Sequence, residues 1–233
     1  MLNKIRLLLK NPEFLTQYRS RKIRLAKILE IEENDIEKYF DESAKFWKII
    51  QDKLAERGAI ERMSFERLQL LYSVVRAIKP KVMIETGVAG GSTSFLTLSA
   101  MEKNGIGNLF SIDIDNPIWH DHSGFKVGWL VPDELRKNWK LTIGDSKKEL
   151  PFLLESLKEI DIFFHDSDHS YEHMTFEFKT VYPFLSSTKT ILADDINLNN
   201  SLNDFSKENK MWFEKFYGFG IARNLKKNKT HIH

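Results

Sequence analysis

Two short segments concentrate the side chains able to hold a cation or move a proton. One is His165-Asp166-Ser167-Asp168-His169-Ser170-Tyr171-Glu172, and the other is Ala193-Asp194-Asp195-Ile196-Asn197. Each follows or overlaps a short apolar run, Ile162-Phe163-Phe164 and Thr190-Ile191-Leu192-Ala193. If those runs are neighbouring parallel strands, Asp166 comes to lie beside Asp194 and Asp195. Three carboxylates in one place repel unless they are protonated or neutralised. A hard divalent cation, which takes oxygen ligands, is the economical remedy. The competing reading makes Asp194 or Asp195 the N-terminal cap of a following helix. His165, His169 and His173 offer a zinc site only if their segment is all helix, and the strand-like run before His165 argues against that.

A second constellation is the loop Glu85-Thr86-Gly87-Val88-Ala89-Gly90-Gly91-Ser92-Thr93, placed between an apolar run and a helical stretch. Glycines there let the backbone turn tightly and come close to a ligand. The dinucleotide fingerprint does not fit, because Ala89 and Ser92 stand at its third and sixth positions, counted from Gly87. Nor does the phosphate loop, since no lysine follows these glycines. Further acidic residues close two other apolar runs: Asp113 after Phe110-Ser111-Ile112, and Asp145, with Ser146, after Leu141-Thr142-Ile143-Gly144. Asp and Gly also end strands simply because they suit turns.

These residues need a scaffold, and the pattern supplies one. Before Pro80 the chain is charged and helical in period; Phe65, Leu68, Leu71, Tyr72, Val75 and Ile78 share a face. Ser64 is placed to cap that helix and Lys79-Pro80 to stop it. Ile23 to Leu29 and Ile36 to Ile50 read as amphipathic helices upstream. After Pro80, short apolar runs starting at Val82, Leu109, Leu141, Ile162 and Thr190 alternate with helices beginning near Thr93, Lys147 and Tyr171. Gly218 to Ala222 reads as a last strand, antiparallel at the edge. Runs apolar on successive residues mean strands buried on both faces of a parallel sheet. The expected fold is α/β, a doubly wound, mostly parallel sheet with an N-terminal helical extension, residues 1–63, ahead of the main domain, 64–233. In such a sheet the ligand lies beyond the carboxyl ends of the strands, where all the acidic residues above are found.

The pattern acidic–x–Gly–x–x–Gly–Gly at Glu85 to Gly91, with Asp113 and Asp145 following in order, resembles the class I S-adenosylmethionine-dependent methyltransferases and their Rossmann-like fold. The resemblance runs through positions 65 to 222. It implies that Glu85, Gly87, Gly90, Gly91, Ser92 and Thr93 contact the cofactor, that Asp113 accepts from its ribose hydroxyls, with Asp115 as competitor, and that Asp145 and Ser146 lie near the adenine. Asp166-Ser167-Asp168-His169-Ser170-Tyr171 and Ala193-Asp194-Asp195 resemble the metal-dependent O-methyltransferase branch, in particular the macrolide-sugar methyltransferase and cephalosporin-hydroxylase-like group. By that resemblance Asp166, Asp194 and Asp195 hold a divalent metal, Mg²⁺ first, with Asp168 the alternate ligand. Asp166 and His169 are then the catalytic pair. His169 stands where the catechol-type enzymes carry a lysine base, and Asp195 where they carry asparagine. A histidine titrates near neutrality and suits proton removal from a hydroxyl. The activity implied is metal-assisted O-methylation of a small hydroxylated acceptor, a saccharide or secondary metabolite. Its rivals are a metal-independent methyltransferase and a nucleoside-binding protein of the same fold.

Composition bounds the rest. The 233 residues carry 35 Lys+Arg against 33 Asp+Glu, a net charge of +2, and no cysteine. This excludes disulfides, thiolate metal sites and a cysteine nucleophile, and provides no field that makes nucleic acid the default partner. The apolar runs are too short to span a bilayer, and Met1 to Lys10 does not read as a secretory signal, so a cytoplasmic location is expected. Two basic runs, Arg19, Arg21, Lys22, Arg24, Lys27 and Arg223, Lys226, Lys227, Lys229, read as solvated faces, with peripheral membrane contact the functional alternative. The segment from Asn116 to Trp139 reads as an insertion that either walls the substrate pocket or packs on its own tryptophans. The N-terminal helices cover the cofactor or pair subunits into a homo-oligomer.

Overall fold

The computed structural model describes residues 12–60, 63–116 and 125–225, with side chains from Tyr18 onward in the first helix. Three helices come first: α1 (Pro12–Leu29), α2 (Glu33–Arg57) and α3 (Phe65–Ile78). They are followed by β1 (Val82–Thr86), α4 (Ser92–Asn104), β2 (Asn108–Asp113), β3 (Trp139–Ile143), α5 (Ser146–Leu157), β4 (Ile160–His165), α6 (Tyr171–Val181) and β5 (Leu185–Ala193). The chain ends on α7 (Ser201–Glu208), β6 (Trp212–Phe216) and β7 (Phe219–Arg223). Ser64 caps α3 by accepting from the Arg67 amide at 3.4 Å, and Lys79 ends it in the left-handed region ahead of Pro80.

The seven strands lie in the order β3-β2-β1-β4-β5-β7-β6. The first five are parallel, while β7 runs antiparallel between β5 and β6. The last strand is therefore antiparallel, as expected, but it is interior. The edge is β6, whose Trp-Phe-Glu-Lys-Phe mixes charge into a run too short to signal a strand. Tyr217 and Gly218 join β6 to β7 with φ of 51° and 88°, the paired positive values of a tight hairpin turn.

Successive strand residues feed opposite cores. Met83, Leu109, Phe164, Leu192 and Ile221 pack beneath α1 to α4, and Ile84, Ile112, Phe163 and Ile191 pack against α5 to α7. Leu25, Ile28, Ile36, Phe40, Ile50 and Leu54 belong to the same cluster as Leu68, Leu71 and Val75, so packing crosses position 63 without a break.

In the basic run of α1, Arg19, Arg24 and Lys27 are exposed, as a solvated face requires, whereas Arg21 and Lys22 are buried. Arg21 lies over the Tyr18, Phe40 and Tyr217 rings, and Lys22 pairs with Glu37. Arg24 donates from Nε to Glu214 at 2.8 Å and Lys27 lies over Trp212. In the second run, Arg223 is buried and donates to the Ile28 carbonyl at 2.9 Å; Lys226, Lys227 and Lys229 fall outside the described residues, as do Met1 to Lys10. Among the described residues no helix is long and apolar enough to cross a membrane.

Candidate active site

The strand order reverses between β1 and β4, and register sets their ends in one row. Thr86 faces His165, and His165 faces Ala193. The ladder continues one residue past the strands, with Asp166 N donating to Thr86 O at 2.8 Å and Asp194 N to His165 O at 3.0 Å. Gly144-Asp145, Asp113, Gly87, Asp166 and Asp194-Asp195 thus rim one cavity of about 970 Å³. Its other wall is Leu54, Ala59, Ile60, Met63, Ser64 and Arg67 from the N-terminal helices and the segment joining them, with Trp129 and Leu130.

Gly87 has φ +84°, and a Cβ there would stand 2.0 Å from the Asp166 carbonyl oxygen. The crossover of β1 and β4 leaves no room for one. At Gly90 and Gly91 it is protein that comes close: Cβ atoms would meet Trp129 Nε1 at 3.3 Å and Gly128 Cα at 2.8 Å. Gly128 N donates to Ala89 O at 2.8 Å and Leu130 N to Gly90 O at 3.0 Å. The loop therefore carries the 125–131 segment on its back while Gly87 to Thr93 still line the cavity. Trp119, His120 and His122 of the same insertion lie outside the described residues.

Asp113 lines the cavity and organises the loop. Its Oδ2 accepts from the amides of Val88 (2.7 Å) and Ala89 (3.0 Å), and its Oδ1 from Asp115 N at 2.7 Å. Asp145 caps α5 by accepting from Lys147 N at 2.9 Å. Ser92 and Thr93 open α4 at the cavity wall. Glu85 does not reach the cavity. It is fully buried behind the loop, accepting from Ser94 and Ser111 hydroxyls at 2.5 and 2.8 Å, and burial pushes its carboxyl up. Its place in β1, one residue before the strand ends, turns its side chain into the core.

Below the cavity floor lies a network that spacing does not announce. Glu177 of α6 is fully buried and takes five donors. Ser146 Oγ (2.6 Å), His173 Nε2 (2.9 Å) and Ser167 Oγ (3.1 Å) reach Oε1, while His165 Nδ1 (2.6 Å) and Thr86 Oγ1 (2.9 Å) reach Oε2. Burial alone would raise its carboxyl, but the hydrogen bonds from His165 and His173 hold it far below the ordinary range. The bond to Glu177 in turn raises His173. Ser146 thus spends its hydroxyl on this network while still bordering the cavity.

The carboxylate cluster forms only in part, and its cation comes from α3. Arg67 Nη1 lies 2.9 Å from both oxygens of Asp194 and 2.7 Å from Asp195 Oδ1. Burial raises the Asp194 carboxyl to about 6 against the pull of Arg67, and Asp195 adds to the rise. Asp166 Oδ1 is 3.9 Å, and Asp195 Oδ2 3.8 Å, from His169 Nε2. The Nδ1 of His169 is buried without a hydrogen bond, and burial, reinforced by His165, lowers this imidazole's proton affinity. The three residues of the expected metal set, Asp166, Asp194 and Asp195, are thus divided between two partners. Arg67 already engages Asp194 and Asp195, Asp166 lies toward His169, and among the described residues no group of three or more His, Asp or Glu side chains is arranged to hold a metal ion. Asp168, the alternate ligand, instead accepts from the Ser170 amide at 2.9 Å.

Six aspartates, at 113, 145, 166, 168, 194 and 195, line the cavity against Arg67 and Lys147, which suits a positively charged ligand. Residues 84–196 match the family model described as a methyltransferase domain. No curated protein matches the chain. Solved structures share the fold. A methyltransferase from Geobacter sulfurreducens superposes with a TM-score of 0.58 at 16% identity, over 78% of this chain and 90% of that one. The S-adenosylhomocysteine-bound methyltransferase of Podospora anserina gives 0.55 at 15%, over 79% and 88%. The TDP-rhamnose 3′-O-methyltransferase of calicheamicin biosynthesis gives 0.51 at 14%, over 78% and 92%.

Proposed function

We propose that this chain is a class I, S-adenosylmethionine-dependent methyltransferase, a reading supported by its matched methyltransferase domain and its shared fold, and that it methylates a hydroxyl oxygen of a small acceptor. The observation that carries this reading is His169. It borders the cavity with Nδ1 buried and Nε2 between two carboxylates, and its lowered proton affinity keeps it neutral and able to accept a proton at pH 7.

S-adenosylmethionine, when bound, supplies a methyl carbon on a positively charged sulfur. The acidic wall fits that charge, and Asp113 keeps the glycine loop in place at the ribose position implied by the motif order. His169 takes the acceptor's hydroxyl proton at Nε2 as the oxygen forms its bond to the methyl carbon and the carbon–sulfur bond breaks. Asp166 and Asp195 face the imidazolium that results and stabilise it. Leu54, Ala59, Ile60 and Met63 form an apolar wall that shelters the transfer from water and favours an acceptor with an apolar face. No step is routed through a metal, because Arg67 already holds both oxygens of Asp194 and one of Asp195.

The test is a transfer assay over a panel of saccharides and catechols, paired with a melting-temperature shift on S-adenosylhomocysteine. His169→Gln is expected to slow transfer by about 10²- to 10⁴-fold and to leave the ligand-induced shift in place. Absence of any shift in the intact protein, or full transfer by the variant, overturns the reading.

A further inference from the structure

We infer that Arg67 is the resident cation of this site, standing where a divalent ion is expected from the sequence, so that the methyl transfer proposed above proceeds without added metal. The inference rests on that reading for its catalytic half only.

The argument begins with the charge. Asp194 is buried and Asp195 follows it directly at the end of β5. Two adjacent carboxylates at a sheet edge need a positive partner to stay ionised. Arg67 provides it with one nitrogen, Nη1, which reaches three of their four oxygens. The rest of the guanidinium is held independently of the aspartates. Nε donates to the Tyr217 carbonyl at 2.9 Å. Nη2 occupies the notch left by the missing side chain of Gly218, where a Cβ would lie 2.7 Å away. The positive-φ turn at Tyr217-Gly218 therefore shapes a seat for this arginine and presents a carbonyl to it.

The backbone that delivers the side chain is also fixed. Arg67 lies in the first turn of α3, and its own amide donates to the capping Ser64 hydroxyl. An ion entering this site must displace Nη1 from three oxygens and leave a guanidinium, charged at any working pH, without its carboxylates. A bound divalent ion can be removed by a chelator; a side chain cannot. Without a metal to acidify the acceptor hydroxyl, proton removal falls wholly to His169.

Three measurements decide the matter. Mn²⁺ binding is followed by electron paramagnetic resonance on the intact chain, on Arg67→Ala and on Arg67→Lys. Methyl transfer is measured in excess EDTA and with Mg²⁺ or Mn²⁺. The melting shift on S-adenosylhomocysteine is recorded alongside. The intact chain and Arg67→Lys are expected to leave Mn²⁺ free up to about 1 mM, the weak end of protein carboxylate sites. Arg67→Ala is expected to take up a single Mn²⁺, because the aspartates then lack their cation. Transfer by the intact chain is expected to change less than about twofold between EDTA and metal, since no Lewis acid is involved.

The inference is overturned if the intact chain binds Mn²⁺ and loses that binding on Asp194→Asn, or if EDTA stops transfer and Mg²⁺ restores it. Should Arg67→Ala fail to fold, the intact chain's Mn²⁺ titration decides by itself. Failure of the methyltransferase reading is recognised separately, as no melting shift and no transfer under any metal condition, and the Mn²⁺ result stands apart from it.

Discussion

Glu177→Ala is the substitution for which the structure sets the largest and most specific effect. The wild-type carboxylate is fully buried and receives donors from β1, β4, α5, α6 and the loop after β4. Alanine leaves Thr86, Ser146, His165 and His173 facing a cavity without an acceptor. Removing one partner from a buried charged cluster costs about 3–5 kcal/mol, and a chain of this size loses roughly 2–4 °C of melting temperature per kcal/mol. The expected fall at pH 7.5 is therefore about 6–20 °C. The pH dependence separates this from simple cavity formation. The folded-state carboxyl is depressed below its ordinary 4.5, so its contribution is complete above that value and is lost as pH falls. The wild-type advantage over Glu177→Ala should shrink by about 1 kcal/mol at pH 4 and about 2 kcal/mol at pH 3. Urea unfolding followed by circular dichroism at pH 7.5, 5, 4 and 3 measures both quantities. A difference below about 2 kcal/mol at pH 7.5, or one that stays constant down to pH 3, would refute the assignment of Glu177 as an ionised hub.

Asp113→Ala frees the Val88 and Ala89 amides that its carboxylate holds; affinity for S-adenosylhomocysteine, read by calorimetry, should fall by at least about tenfold, the equivalent of one charge-assisted hydrogen bond. Gly87→Ala combines a positive φ with a Cβ 2.0 Å from the Asp166 carbonyl oxygen, so a loss of about 3 kcal/mol or more is expected in a thermal melt. Arg21→Ala removes a cation seated among the Tyr18, Phe40 and Tyr217 rings; it should cost about 1–2 kcal/mol of stability and leave sedimentation with anionic vesicles unchanged.

What was legible in the sequence is the part written in contiguous residues. Apolar runs ending in Gly or Asp mark the five parallel strands and, with them, the rim of the cavity, because strand and terminator sit side by side in the chain. What was hidden depends on single polar residues and distant partners. Glu177 looks like one more charge on an amphipathic helix, four residues after His173, and nothing near it in sequence foretells Thr86 or Ser146. The partners of the α1 basic run are hidden for a related reason. Its counterparts, Glu214, Trp212 and Tyr217, come from the β6–β7 hairpin at the other end of the chain, and β6 carries no strand signal. The glycines show a third limit: sequence indicates that something approaches a Cβ-less backbone, but not that it is Trp129 and Gly128.

The acidic cluster brings these limits together. Carboxylates at adjacent strand ends require a cation, and that inference needs only charge and spacing. The identity of the cation does not follow, because electrostatics is indifferent to whether the charge arrives as an ion or on a side chain. Arg67 lies 127 residues from Asp194, in a helix whose periodicity advertises only its apolar face. Geometry distinguishes the two suppliers: an ion needs free oxygens converging on a point, whereas here one guanidinium nitrogen lies within 2.9 Å of three carboxylate oxygens and its neighbours are anchored to Tyr217 and the Gly218 notch. The same arrangement bears on the placement of the proposed base, His169. With Arg67 committed to Asp194 and one oxygen of Asp195, the other Asp195 oxygen and Asp166 Oδ1 lie 3.8 and 3.9 Å from His169 Nε2, so the side chain proposed to become an imidazolium lies beside two carboxylates.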